Sequence, residues 1–170
     1  NDGFTPLVLT AAWAPTLRVS HSILPVYTRG PALLAQSIAS LSDAAPGRVA
    51  VGIGASSNVI VEQWNGIPFD RPYSRVRDTI RFLRAALAGE KVTEQYETFS
   101  VNGFRSEIVP SEPPPILVAA LRSKMLHLAG TEGDGAILNW LSPGDMPKIT
   151  EAVGPGKEIM CRMFVYPTED

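Results

Sequence analysis

The chain has 170 residues, of which 45% are hydrophobic and 19% charged, and its net charge is −2 at pH 7. That apolar share is enough for the core of one domain and excludes an intrinsically disordered chain, while the missing basic excess argues against nucleic acid as a partner. A lone cysteine, Cys161, rules out an internal disulfide, the two histidines form no ligand cluster with it, and no apolar run approaches the roughly 18 residues of a membrane helix. The expectation is a soluble, cytoplasmic protein without metal, membrane or nucleic-acid partners. It opens at Asn1-Asp2-Gly3 with neither a signal-peptide pattern nor an initiator methionine, as a piece of a longer protein would.

Residues 17–24 form the first apolar run of strand length. Residues 31–41 follow with helical spacing: Leu34, Ile38 and Leu41 share one face, Gln36, Ser37 and Ser40 the other, and Pro31 suits the first position. The next strand is residues 49–53. A long helix over residues 72–88 carries Val76, Ile80, Leu83 and Leu87 as one stripe, keeps Arg77, Arg81 and Arg84 largely off it, and stops at Gly89. Residues 92–109 break the pattern, and their alternation predicts a β-hairpin turning at Asn102-Gly103. Four prolines between 110 and 115 then force an extended connector into a strand at 116–119. A short helix over 123–129 ends at Gly130, and a strand spans 136–141. Ser142 and Pro143 open a helix with Met146, Ile149 and Val153 on its apolar face, before a last strand at 159–165. Strands alternating with helices in this way specify a parallel α/β fold.

Two loops have residues suited to an anion. Gly52-Ile53-Gly54-Ala55-Ser56-Ser57 has two glycines of a dinucleotide fingerprint, with Ser57 where the third would fall. Small residues there permit close approach of backbone N–H groups to a phosphate; the alternative is a tight turn that needs only conformational freedom. Ala120-Leu121-Arg122-Ser123-Lys124 enters a helix with two cations beside its free amides, which suits a phosphate or is an ordinary helix start with solvated cations. His21 in a strand and His127 within a helix have no partners in a recognised catalytic spacing and read as structural or surface groups. Trp140 either lines a flat-ligand pocket or belongs to the core, and Met160 and Met163 read as packing.

Longer segments carry a resemblance. They are Leu24-Pro25-Val26-Tyr27-Thr28-Arg29-Gly30-Pro31, Gly47-Arg48-Val49-Ala50-Val51-Gly52-Ile53-Gly54, Trp64-Asn65-Gly66-Ile67-Pro68-Phe69 and Gly133-Asp134-Gly135-Ala136-Ile137-Leu138-Asn139-Trp140-Leu141. In this order, over nearly the whole chain, the sequence resembles the bacterial-luciferase-like superfamily, and most closely its F420-dependent oxidoreductase branch.

The resemblance implies a (β/α)8 TIM barrel, incomplete here, in which the chain supplies strands three to seven as a single partial barrel domain. A five-stranded open barrel would leave two unpaired edges and an exposed apolar interior, so the natural protein is expected to be about twice as long. The resemblance places a non-proline cis peptide at Ser22-Ile23, backing a deazaflavin ring. It places Gly54, Ala55, Ser56 and Ser57 near the coenzyme's sugar and phosphate, and Ala120, Leu121, Arg122 and Ser123 at a second phosphate loop. Many relatives have Gly-Pro where this chain has Arg122-Ser123. The sugar-phosphate branch carries a catalytic glutamate near Ser57, which argues against a sugar-phosphate substrate here. Catalytic side chains belong to the first two strands, so none is assigned.

The implied activity is hydride transfer between coenzyme F420 and a small organic substrate, with Arg29, Arg122 and Lys124 available to its acidic tail. The alternatives are an FMN-dependent monooxygenase using reduced flavin and oxygen, a non-catalytic coenzyme-binding barrel relative, and a flavodoxin-like or Rossmann domain with helices on both sheet faces. A homodimer is implied, and the hairpin is an interface, a lid or a passive decoration.

Overall fold

The computed structural model describes residues 2–163 and 165–168. The first element, α1 (Phe4–Trp13), is not foreseen in the sequence. Its residues are apolar almost all round, so no stripe marks it; only Ala11 is buried, while Val8, Leu9 and Trp13 stay exposed. Asp2 starts it by accepting hydrogen bonds from the Thr5 N–H and hydroxyl at 2.8 and 2.7 Å.

The predicted first strand is two short pieces, β1 (Val19–Ser20) and β2 (Leu24–Pro25), both parallel to β3 (Val49–Gly54). Ser20 pairs with Ala50 and Leu24 with Ile53, so the first strand spends one residue more than its neighbour over the same stretch. That extra residue is a bulge. Between them runs α2 (Pro31–Ala44), with Leu34, Ala35, Ile38 and Leu41 buried. After β3 come a π-helical turn, Val59–Gln63, and α3 (Pro72–Leu87), whose predicted stripe is fully buried.

The hairpin forms from β4 (Val92–Gln95) and β5 (Ser100–Phe104), but its turn is displaced. The Tyr96 N–H donates to the Phe99 carbonyl at 2.9 Å, so the turn is residues 96–99. Asn102-Gly103 is instead a bulge within β5, where pairing shifts between Val92–Phe104 and Glu94–Val101. Gly103 has φ +71°, and a bulge uses that left-handed freedom as readily as a turn does. The hairpin lies against α3, where Phe82 meets the rings of Tyr96, Phe99 and Phe104 at 5.4 to 6.4 Å.

The last units are β6 (Ile116–Ala119), α4 (Ser123–Thr131), β7 (Gly135–Asn139), a 3₁₀ turn Pro143–Asp145, α5 (Met146–Val153) and β8 (Glu158–Arg162). Gly130 does not stop α4, which continues to Thr131. A Cβ at Gly130 would collide with the Val153 carbonyl, so this glycine lets α4 and α5 touch. The last strand is shorter than expected; its predicted extension runs through Phe164, outside the described residues.

The main sheet is wholly parallel, in the order β1 and β2, β3, β6, β7, β8. The buried apolar residues of all five helices, a single one in α1, fall in one cluster with Val49, Val51, Ile53, Ile116, Val118, Ala136 and Leu138. The other sheet face forms a second cluster of Ala50, Leu117 and Ile137, packed by Ile23 and Met160, with no helix residue in it. Helices on one face only exclude the flavodoxin-like and Rossmann alternatives and give a half-barrel. Its curl brings the ends of the sheet order within reach, since Arg18, just before β1, makes a bidentate pair with Glu158 on β8 at 2.7 and 2.8 Å. The expected open apolar interior is therefore closed at its centre, where Ala50 and Leu117 are 0% exposed. No helix among the described residues is long and apolar enough to cross a membrane.

Candidate coenzyme site

The C-terminal ends of β3, β6 and β7, with the β1–β2 bulge, frame a concavity of about 940 Å³. Its floor is Ile23, Ala119 and Ile137; Phe69 and Tyr73 form a side wall; residues 120–125 form a rim. The floor exists because β3 lacks side chains where its neighbours crowd it. A Cβ on Gly52 would strike the His21 carbonyl and Ile137, and one on Gly54 would lie 2.8 Å from the Ala119 Cβ and 3.2 Å from the Ile23 Cδ1. Neither glycine has a positive φ, so the tight-turn reading, which needs conformational freedom here, does not account for these two. They admit the bulged strand rather than supply conformational freedom.

Left-handed backbone falls on other residues around the site. Ser56 has φ +67°, Arg71 φ +45° and Trp140 φ +60°, and they stand respectively in the lining, just before the lining Pro72, and just after the lining Asn139. Each such conformation costs a non-glycine residue about 1–2 kcal/mol, which the surrounding fold sustains.

Seven of the ten residues proposed from sequence line the concavity: Ile23, Ala55, Ser56, Ala120, Leu121, Arg122 and Ser123. Three do not. Ser22 is exposed beside the cis Ser22–Ile23 peptide, Gly54 is buried beneath Ile23, and the Ser57 hydroxyl accepts the Ile60 N–H at 3.4 Å in the π-helical turn. At the rim, α4 has no side-chain cap, and the Ser123 and Lys124 amides take no partner among the described residues. Arg122 and Lys124 stand beside them, exposed.

Arg29 is committed elsewhere. It pairs with Asp2 and its guanidinium lies 5.0 Å from the Phe4 ring centroid, which ties α1 to the loop after β2. The Phe69 and Tyr73 wall is held by a similar lattice. Tyr27 donates to the Asp70 carbonyl and packs on Phe69 at 5.2 Å. Arg75 covers Tyr27 and Phe99 at 5.5 and 4.9 Å and donates to the Thr98 carbonyl at 2.9 Å. Burial lowers the Arg75 pKa and raises that of Tyr27, each from its ordinary value.

No histidine or carboxylate lines the concavity among the described residues. His21 is buried against Phe4, with ring centroids 4.5 Å apart, and burial holds its pKa down to about 4. It is neutral at pH 7. His127 is exposed on α4, and the described residues hold no group of three or more His, Cys, Asp or Glu arranged for a metal. Trp140 is 81% exposed, so it neither lines the concavity nor belongs to the core. Met160 packs on the inner cluster as expected, while Met163 is exposed. Sequence reasoning missed the floor residues Ala119 and Ile137, the wall residues Phe69 and Tyr73, and Asn139. The signal for Asn139 is its two-residue step from Ile137, which puts both on the inner face of β7.

The Luciferase-like monooxygenase family model matches residues 1–153. The chain belongs to this family. It is 30% identical over 153 residues to a 5,10-methylenetetrahydromethanopterin reductase of Archaeoglobus fulgidus, covering 90% of this chain and 46% of that protein. It is 29% identical over 178 residues to an F420-dependent glucose-6-phosphate dehydrogenase of Gordonia bronchialis, covering 96% and 52%. The fold matches the coenzyme F420 dependent tetrahydromethanopterin reductase of Methanopyrus kandleri with a TM-score of 0.80 at 20% identity, over 92% of this chain and 49% of that one. This luciferase-like half-barrel thus spans about half the length of the curated relatives it matches.

Proposed function

We propose that the full protein is an F420-dependent oxidoreductase that moves a hydride between the deazaflavin coenzyme and a small organic substrate. The observation that carries this reading is one concavity joining an apolar floor to an uncapped, cationic helix start. Family membership and the F420-dependent relatives support the choice of coenzyme. Its volume of about 940 Å³ suits a ligand of this size.

When bound, the coenzyme supplies the hydride chemistry, and the chain supplies binding, orientation and exclusion of water. Ile23, Ala119 and Ile137 offer a flat ring an apolar floor that keeps water from one of its faces. Gly54 acts by omission, leaving room for Ile23. Ala55 and Ser56, together with residues 120–123, would hold the sugar-phosphate arm. The Ser123 and Lys124 amides, with the charges of Arg122 and Lys124, hold its phosphate and acidic tail through charge-assisted bonds. The guanidinium of Arg122 takes the place of the closer backbone approach that Gly-Pro gives in many relatives. Ser22 and Ser57 are supporting residues in this reading, Ser57 by capping the turn that follows. Proton transfer is left to side chains of strands one and two, and a homodimer remains part of the reading.

Titration of the full-length protein with F420 and with FMN, followed by ligand fluorescence, tests the choice. F420 is expected to be quenched saturably. Tight FMN binding without any F420 response overturns the proposal.

A further inference from the structure

We propose that Asn139 reads the coenzyme ring, its carboxamide taking the polar edge of the flat heterocycle that the apolar floor receives. The inference deepens the F420 reading and rests on it. Asn139 closes β7 on the inner face, one pleat beyond Ile137, and lines the concavity. Its Oδ1 is buried and has no hydrogen-bond partner among the described residues. The floor residues Ile23, Ala119 and Ile137 have no polar side-chain atom, and Asn139, on the same strand as Ile137, adds an amide to the lining beside them.

A buried amide oxygen without a partner destabilises the fold, and leucine has nearly the same shape with no such cost. An asparagine kept here for packing alone would be a poor solution. A deazaflavin entering the concavity has the complementary need: its pyrimidine ring carries carbonyl and N–H groups side by side, which lose water on burial. A carboxamide presents one acceptor and one donor group in a plane, which matches such a lactam edge. The same amide thus penalises the empty fold and favours the occupied one.

The test uses the full-length protein, F420, and a tail-less deazaflavin lacking the phosphate and glutamyl units. Kd is read by fluorescence quenching and the Tm of the ligand-free protein by calorimetry. Asn139→Leu is expected to weaken both ligands by about tenfold, the loss of roughly one hydrogen-bonded pair, while the ligand-free Tm holds or rises. Arg122→Ala is expected to weaken F420 alone. An unchanged Kd for the tail-less ligand in Asn139→Leu overturns the assignment and leaves the coenzyme reading standing. A lowered ligand-free Tm marks Asn139 as a structural residue and also overturns it; Asn139→Ala provides the same readings where the leucine variant does not fold. Failure of the unaltered protein to bind either deazaflavin overturns the coenzyme reading, and this inference with it.

Discussion

His21 illustrates how one residue can report on the whole fold without touching the site. It is 2% exposed, its ring rests on Phe4, and neither ring nitrogen has a hydrogen-bond partner among the described residues. Burial lowers its pKa from 6.5 to about 4. Unfolded chains therefore bind a proton between those values that the native state refuses, so stability is whole above pH 6.5 and falls as the pH drops toward 4. The loss attributable to this side chain is about 3 kcal/mol. Urea unfolding of the wild type and of His21→Phe across pH 4–7 should show the variant's stability changing less by about that amount; parallel curves would contradict the assignment. Arg29 teaches the opposite lesson. Its charge looks available in sequence, yet Asp2 and Phe4 take it.

Among the elements, the β4–β5 hairpin is held firmly against α3. Asp78, buried on α3, accepts the Thr98 N–H and hydroxyl at 2.9 Å each and also pairs with Arg77 at 2.8 Å. Arg77 in turn reaches Glu97 at 2.8 Å, so the tip of the hairpin is tied at successive residues. Removing the carboxylate strands the Thr98 amide and hydroxyl in a largely dry contact. Asp78→Ala is expected to cost about 3 kcal/mol, with hydrogen exchange quickening through residues 92–104 well before the β3 and β6 amides. A global loss with no local quickening would mean that the hairpin and sheet open together. This anchoring leaves little scope for a lid that swings. The predicted turn at Asn102-Gly103 was displaced for a local reason: the pair asks for left-handed backbone, and a bulge within β5 answers that request as well.

For the molecule as a whole, the sheet's curl is the decisive feature, and Arg18–Glu158 is its visible clasp. Both side chains are partly exposed, at 46% and 33%, so solvent screens the pair and its coupling is expected to be below about 1 kcal/mol. A double-mutant cycle with Arg18→Ala and Glu158→Ala, at low and high salt, should return a small coupling that salt erodes. A coupling of several kcal/mol would show that the pair drives the curl. The expected weakness has a physical source: the curl rests on the two packed faces, with helices burying residues such as Val51 and Val118 outside while Ala50, Leu117 and Ile137 close on each other inside.

The sequence by itself determined the order of strands and helices, because period-two and period-3.6 apolar patterns encode which side of each element is dry. It also carried the family, through long collinear segments, and seven of the ten residues it proposed line one concavity. It left α1 invisible, since a helix apolar all round has no stripe, and it did not show that Gly52 and Gly54 are glycines because neighbours crowd them. Only the tertiary structure decided that helices cover one face alone, that Gly52 and Gly54 make space for neighbours, and that Asn139 lines the concavity with its amide oxygen unpaired among the described residues. Those facts depend on which atoms from distant segments compete for the same volume, and periodicity along one segment contains no term for that competition.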